Sequence, residues 1–396
     1  MSFKTVTIAE IAAPDKRSIA IGPFGSSLKA DLYVPSGVPV VRGQNIKDAG
    51  ELDESDLVFV EPETAAKFPA CLLNEGDLVF PHRGAIGRVG IVGKRQMLLS
   101  SSMMKLTVDP LKVDPRFVVY YFRGPGKHEL LMRASTVGTP GIGQPLTSLR
   151  GISIQIPELD EQRAIAKLLG ALDDKITANA KLITTADKLS HTMFLSMVGT
   201  GDQLVPLSDT AKFVNGKAFT KNASGTGRMV IRIAELNSGI GGSTVYNDID
   251  VDDQYLARPG DLLFAWSGSL TLHRWFRPEG IVNQHIFKVM PQDGYPHWLV
   301  YELLRHRLED FKSIAADKAT TMGHIQRKHL DEPVALPPLG EIHKHNEVMT
   351  GLWDRALAAE VESLKLITTR DALLPQLMSG KLRVRDAEKV LEEAGV

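Results

Sequence analysis

Residues 157–198 read PELDEQRAIAKLLGALDDKITANAKLITTADKLSHTMFLSMV. From Glu158 on, this stretch holds a single glycine, Gly170, and no proline. Its seam residues return in steps of four and three: Ile165, Leu169, Leu172, Ile176, Asn179, Ile183, Ala186, Ser190, Met193 and Met197. Such a line predicts a long helix with one buried face. Asn179 at a core position is the device that fixes register at some cost in stability. A helix of about 35–40 residues rises ~55 Å, more than a globular domain needs. Asp173, Asp174, Lys175 and Lys181 fall on the other faces and read as solvated positions.

The tetrad Leu182-Ile-Thr-Thr185 inside this stretch returns unchanged as Leu366-Ile-Thr-Thr369. Outward from it, Pro157-Glu-Leu-Asp-Glu161 parallels Pro337-Pro-Leu-Gly-Glu341, and Pro115–Tyr120 (PRFVVY) parallels Pro296–Tyr301 (PHWLVY). Gly76-Asp-Leu-Val-Phe80 matches Gly260-Asp-Leu-Leu-Phe264. Val41-Arg42 with Ile46 matches Ile231-Arg232 with Leu236, and Val6–Glu10 resembles Val205–Asp209. The matches keep one order at offsets of 180 to 199 residues, which marks an internal duplication. That period is far too long for a solenoid.

Each copy has two textures. Residues 1–156 are punctuated by turns such as Val34-Pro-Ser-Gly37 and Asn74-Glu-Gly-Asp77, between short runs such as Val38–Val41, Asp77–Phe80 and Arg88–Val92. This is the pattern of a strand-rich domain with a few helices. Residues 157–200 form the first long helix, 201–336 the second strand-rich domain, and 337–396 the second long helix with a tail. The second helix carries a weaker seam through Met349, Leu352, Ala356, Ala359, Ser363 and Leu366. The expected fold is therefore α+β. Two strand-rich α/β domains are separated by two long helices packed as an antiparallel coiled coil, in an internal pseudo-two-fold repeat. In the alternative, each helix lies on its own globular domain.

A chain of 396 residues holds two or three domains, and 43% hydrophobic with 23% charged residues is an ordinary globular mixture. No apolar run approaches the ~18 residues of a membrane span, and the start, MSFKTVTIAEIAAPDKRS, shows no apolar signal region. One cysteine, Cys71, excludes a disulfide framework and a Cys-rich zinc site. A reducing cytoplasm is the expected location. Net charge is +3 over residues 1–157, then −1, −1 and −2 over 158–200, 201–336 and 337–396. A protein that grips DNA by bulk charge would be more basic, so any DNA contact must be focused on one face or supplemented by a partner.

The run Ile21-Gly-Pro-Phe-Gly-Ser-Ser-Leu-Lys29, with Val38-Pro-Val-Val-Arg-Gly-Gln-Asn-Ile46, Glu75–Phe80 and the Ile156–Gln162 helix entry, resembles the specificity subunits of type I restriction-modification systems. Leu373-Leu-Pro-Gln-Leu-Met-Ser-Gly-Lys-Leu382 is similar to the end of that family's distal helix. The resemblance implies two target recognition domains, each reading one half of a split site in double-stranded DNA. It also implies docking of two methyltransferase subunits on the helices, and through them a restriction translocase. S-adenosylmethionine, ATP and Mg would belong to those partners, with no cofactor in this chain. The second copy departs from the pattern: Ala218-Phe-Thr-Lys221 replaces the Pro-Phe-Gly-Ser-Ser run, and Gly340 and Ile342 replace Asp and Gln.

Catalytic signatures are missing. Val214-Asn-Gly-Lys217 lacks the first glycine of a phosphate loop. Phe122-Arg-Gly-Pro-Gly126 looks like a methyl-donor loop, but its repeat partner Arg305–Leu308 has no glycine, so it reads as a turn. His343 with His345, and His324 with His329, lack zinc-site spacing. Binding without catalysis or metal is the expectation.

Reading bases requires paired donors and acceptors, as in Arg, Lys, Asn and Gln. In the first copy these group as Arg42, Gln44 and Asn45; His82 and Arg83; Ser100, Ser101 and Ser102; and Thr139 with Gln144. In the second they are Arg232, Glu235 and Asn237; Trp266 and Ser267; Asn283, Gln284 and His285; and Thr320, Thr321 and His324. Lys29, Arg88, Lys94 and Arg95 are candidate phosphate contacts, which position without specifying. The competing reading is that Asn and Gln beside glycine cap their own turns. Two other functions stay open: a twin-domain scaffold for protein or ligand, and a self-sufficient methyltransferase or nuclease.

The helix expectation is testable as a ruler. Duplicating Thr184-Thr-Ala-Asp187 adds ~6 Å and about 40° beyond a full turn, against a duplex rise of ~3.4 Å per base pair. Methylation mapping of the host genome should then show a gap one or two base pairs longer, with both halves unchanged. A two-residue insertion rotates the seam by about 200° and should abolish activity. An unaltered gap with activity retained contradicts the ruler.

Overall fold

The structure, a computed structural model, describes residues 3–25, 27–135, 140–199, 203–317 and 323–395. The chain divides into two compact units, Met1–Asp174 with Leu366–Val396, and Lys175–Lys365. The division runs through both long helices, because each helix packs on the strand-rich part of the unit it passes through.

In the first unit a two-stranded ribbon pairs Lys4–Thr7 with Ser153–Ile156. A four-stranded antiparallel sheet runs Ile19–Ile21, Met103–Leu106, Leu78–Pro81, Gly90–Ile91. A five-stranded sheet runs Tyr33–Val34, Val58–Val60, Val38–Val41, Met97–Leu99, Leu72–Leu73, and Val38–Val41 lies parallel to Met97–Leu99. The second unit repeats this plan. Gln203–Pro206 pairs with Pro333–Leu336. A second four-stranded sheet runs Ala211–Asn215, Ile286–Pro291, Leu262–Ala265, Thr271–Arg274. The third sheet runs Tyr246–Asn247, Arg228–Ile231, Gly280–Val282, Leu256–Ala257, again with one parallel pair, Arg228–Ile231 with Gly280–Val282. The duplication read from scattered motifs is thus a duplication of strand order.

The repeated Gly-Asp pair has a shared structural role. Gly76 and Gly260 have φ of +85° and +98°, a region that costs glycine little. The next residue turns its carboxylate back: Asp77 Oδ2 accepts the Asn74 N–H at 2.8 Å, and Asp261 Oδ2 accepts the Arg258 N–H at 2.7 Å. Each aspartate also faces a buried lysine, Lys105 at 3.9 Å and Lys288 at 3.0 Å. The lysines donate to carbonyls in the neighbouring sheet, Leu72 O and Leu256 O.

The central helix spans Leu159–Val198 and the distal helix Leu339–Met378. Ile165, Leu169 and Leu172 are buried, as are Asn179, Met349, Ala356, Ala359 and Leu366, while Ile176, Ile183 and Leu352 are half-buried. The helices run antiparallel: in the second unit Asn179 Nδ2 donates to Glu362 at 2.7 Å, and Phe194 shares a core cluster with Met349. Each helix also lies on its domain, so the two packing alternatives hold together. Gln162 ties the helix entry to the first domain, donating to Pro157 O and accepting the Asp114 N–H. Ile342 in the second copy is instead buried in the core.

Asp173 corrects the expectation of a solvated position. It is buried, and accepts hydrogen bonds from Arg123, from Arg370 at 2.7 Å and from the Tyr120 hydroxyl at 2.8 Å. The domain helix Pro115–Arg123 supplies Tyr120 and Arg123, so what the heptad pattern reads as an outer face is covered by the domain. The segment Phe122–Gly126 is a joint between Pro115–Arg123 and Pro125–Met132. A Cβ on Gly126 would lie 2.6 Å from the Tyr121 ring, so its glycine serves packing.

Burial pushes the Asp173 carboxyl up, but its bonds to Arg123, Arg370 and Tyr120 outweigh this and hold it below its ordinary range. Asp173→Asn should destabilise the first unit by about 3–5 kcal/mol, because two arginines lose their buried counter-charge. A depressed folded pKa gives stability that is full above the unfolded value and lost as pH falls through the folded one. Urea unfolding should therefore show the gap between native and variant shrinking below pH ~4. Equal stability at pH 7 would contradict the role assigned to the pair.

Candidate nucleic-acid interface

In the first unit the ends of three strands converge on one cleft of about 620 Å³. Val38–Val41 leads into Arg42, Gly43 and Gln44; Leu78–Pro81 leads towards Arg83; and Ser100–Ser102 joins Met97–Leu99 to Met103–Leu106. Tyr33, Arg88 and Lys127 complete the walls. Its lining carries Arg42, Arg83, Arg88 and Lys127 and no carboxylate. Arg83 and Lys127 are exposed, with no side-chain partner among the described residues.

One corner of the cleft is tightly built. Asn45 accepts the Arg42 N–H at 2.9 Å and donates to Asp56 O at 2.9 Å. Arg42 Nη2 donates to Asp56 O at 2.8 Å, and Gln44 Nε2 donates to the Asp56 carboxylate. The second unit repeats the corner, with Glu235 accepting the Arg232 N–H at 3.0 Å and its guanidinium at 2.6 and 2.9 Å. Burial pushes the Glu235 carboxyl up, but Arg232 outweighs this and holds it low.

The second unit gathers an aromatic cluster where the first has serines and arginine. Trp266 lies 5.1 Å from the His285 ring and 6.4 Å from the His324 ring, between centroids. Its indole N–H donates to Asn215 Oδ1 at 2.8 Å. Backbone bonds from Trp266 N to His285 O, and from Ile325 N to Trp266 O, hold the three loops together. His285 has φ of +74°, uncommon for a residue other than glycine.

Residues 25–186 match the family described as type I restriction modification DNA specificity domain. The type I restriction enzyme MjaIX specificity subunit of Methanocaldococcus jannaschii is 22% identical over 355 residues, covering 79% of each chain. A crystal structure of the type I restriction-modification S subunit from M. genitalium shares the fold, with a TM-score of 0.63 at 16% identity, over 95% of this chain and 96% of that one. Over most of its length this chain is similar to type I restriction-modification specificity subunits. The putative MjaX specificity subunit of M. jannaschii is 29% identical over 175 residues, a match that spans 42% of this chain and only 40% of that relative.

Of the loop residues singled out in the sequence, the structure brings Arg42, Gln44, Arg83 and Ser101 to one cleft, together with the candidate phosphate contact Arg88. Gln144 is exposed at the start of helix Pro145–Arg150, whose preceding strand bridges Arg83 through Gly141. Trp266, Ser267, Asn283, Gln284, His285 and His324 occupy adjoining loops of the second unit. Asn237 is exposed at the end of helix Ile233–Ser238. Thr139, Thr320 and Thr321 lie outside the described residues. Asn45 is buried with its amide engaged on both sides, so it builds the corner and offers no edge. His82, Ser267 and Asn283 are also buried, and Asn283 Oδ1 accepts the Phe219 N–H. Lys29, Lys94 and Arg95 are exposed but stand outside the cleft; Arg95 pairs with Glu54 at 3.7 Å. Lys127 and Tyr33 are the lining residues that sequence reasoning missed, because a separate helix and an edge strand deliver them. No described helix is long and apolar enough to cross a membrane.

Proposed function

We propose that this chain is a type I restriction-modification specificity subunit that reads a bipartite target in double-stranded DNA, one half-site per unit, without catalysing a reaction itself. The observation that carries the reading is the repeated architecture: equivalent strand ends deliver the Arg42 corner and the Arg232 corner, each beside a second loop pair with polar or aromatic side chains. Two sites on one frame with unlike side chains suit two half-sites of unlike sequence.

In the first unit the positive lining draws phosphates, which sets position and orientation. Arg83 can offer a guanidinium fork to a guanine edge. Gln44 has its amide N–H₂ on Asp56, which leaves its carbonyl as an acceptor and fixes its orientation. In the second unit Trp266 with His285 and His324 presents ring surface that suits thymine methyl groups or DNA shape. The near-neutral chain has little bulk charge for holding DNA by itself. Two methyltransferase subunits and, through them, a restriction translocase would supply further grip, along with S-adenosylmethionine, ATP and Mg chemistry. Such an assembly works in the prokaryotic cytoplasm.

Arg83→Ala in the assembled methyltransferase should weaken binding to the correct duplex by ~1–3 kcal/mol and relax one base position in one half-site only. Gel-shift titration against single-base variants of the target reads this. A loss that is uniform across sequences assigns Arg83 to phosphate. No change in either affinity or specificity contradicts its place in the interface.

A further inference from the structure

Phe24 is the only exposed Phe, Tyr or Trp among the described residues, at 83% exposure. Every other described Phe, Tyr and Trp is buried or half-buried. A lone apolar residue on a surface ordinarily needs no explanation, but the place of this one is specific. Its loop is pinned by Gly22, whose N–H donates to Met103 O at 2.9 Å. A Cβ on Gly22 would come within 1.8 Å of Ser100 O and 3.1 Å of Ser101 Cα, so the chain passes directly against the backbone that walls the cleft. Two residues further along, the Phe24 Cα can be no more than ~7–8 Å from that of Gly22. Pro23 stiffens the approach, and a turn bond from Ser27 N to Phe24 O at 2.7 Å closes the loop behind the ring.

The second unit has the same anchor without an exposed ring. Gly216 N donates to Ile286 O at 3.0 Å, and a Cβ there would lie 2.2 Å from Asn283 O, yet two residues on stands Ala218, and the phenyl that follows, Phe219, is half-buried edge-on against Tyr255 at 5.6 Å. That unit keeps its indole, Trp266, inside the loop cluster instead.

Resting on the DNA-reading function above, we propose that Phe24 is an apolar wedge that enters the duplex at a base step beside the first half-site. The cleft next to it is cationic and draws the phosphate backbone against the loop. A phenyl ring has nothing to offer a phosphate. Besides thymine methyl groups, the large apolar surface in DNA is the face of a base, and partial unstacking of a step by an inserted Phe exposes that face. The wedge would make specificity depend on how easily that step opens, at a position that no polar side chain reads.

The test uses the full chain with and without its methyltransferase subunit, and duplexes carrying the target mapped from host methylation. 2-Aminopurine replaces successive purines through and beside the first half-site. With native protein, fluorescence should rise at one step. Phe24→Ala should remove that rise and weaken specific binding about tenfold or more, in line with loss of one base–aromatic contact. Phe24→Leu, which keeps an apolar wedge, should restore most of the rise. Unchanged affinity and fluorescence in Phe24→Ala overturn the proposal while leaving half-site reading intact. If Phe24→Ala instead weakens association with the methyltransferase in the absence of DNA, the ring is a protein contact and the proposal is wrong. Failure of the native assembly to prefer the target over random duplex would overturn half-site reading and the wedge together.

Discussion

A buried lysine facing an aspartate in each unit is the constraint on which the loops of the candidate interface depend. Lys105 lies opposite Val79 in its strand pair, and Lys288 lies opposite Leu263. Each faces the aspartate two residues before that partner and donates to a carbonyl of the neighbouring sheet. One ammonium thus joins a glycine turn, a strand register and a second sheet. A strand slip of one residue would exchange every inward and outward side chain, and would leave a buried charge without its partner, which is strongly unfavourable. The strands so fixed are those that lead into Arg83 and out of Ser102, or into Trp266 and out of His285. Loop geometry at the candidate interface follows from that register.

The helices are held to the domains by chemically different means in the two units. Asp173 takes Arg123, Arg370 and Tyr120 in the first. In the second, the fully buried Glu302 of the helix His297–Asp317 accepts the Ser190 hydroxyl at 2.9 Å and pairs with His191 at 2.8 Å. Arg274 meanwhile pairs with Glu360 at 2.8 Å and stacks on Trp353. In the first unit the acid, Asp173, sits on the central helix, whereas in the second the domain supplies Glu302 and the distal helix Glu360. Sequence similarity between the copies is correspondingly weak along these faces although the strand order is the same.

Much of this was legible in the sequence. Heptad spacing located the seam, because a helix buries residues at fixed periods. The ordered motif matches exposed the duplication, because the Gly-Asp turn and the Arg corner need particular residues. Charged side chains were harder to place. Asp173 and Lys105 look like surface residues in any local window, and what buries them arrives from distant parts of the chain. Asn45 resembles a base reader yet completes a corner, since a side-chain amide bonds its own loop as readily as a base. Lys127 enters the cleft from a helix whose local pattern gives no hint of it.

The central claim is that one duplicated frame presents two independent DNA-reading sites. Selection from a randomised duplex library by the chain assembled with the methyltransferase subunit proposed above tests it most directly. Two short specified blocks of unlike sequence, separated by a gap of fixed length and free composition, are the predicted outcome. A single continuous block, or no enrichment over the starting library, would contradict it.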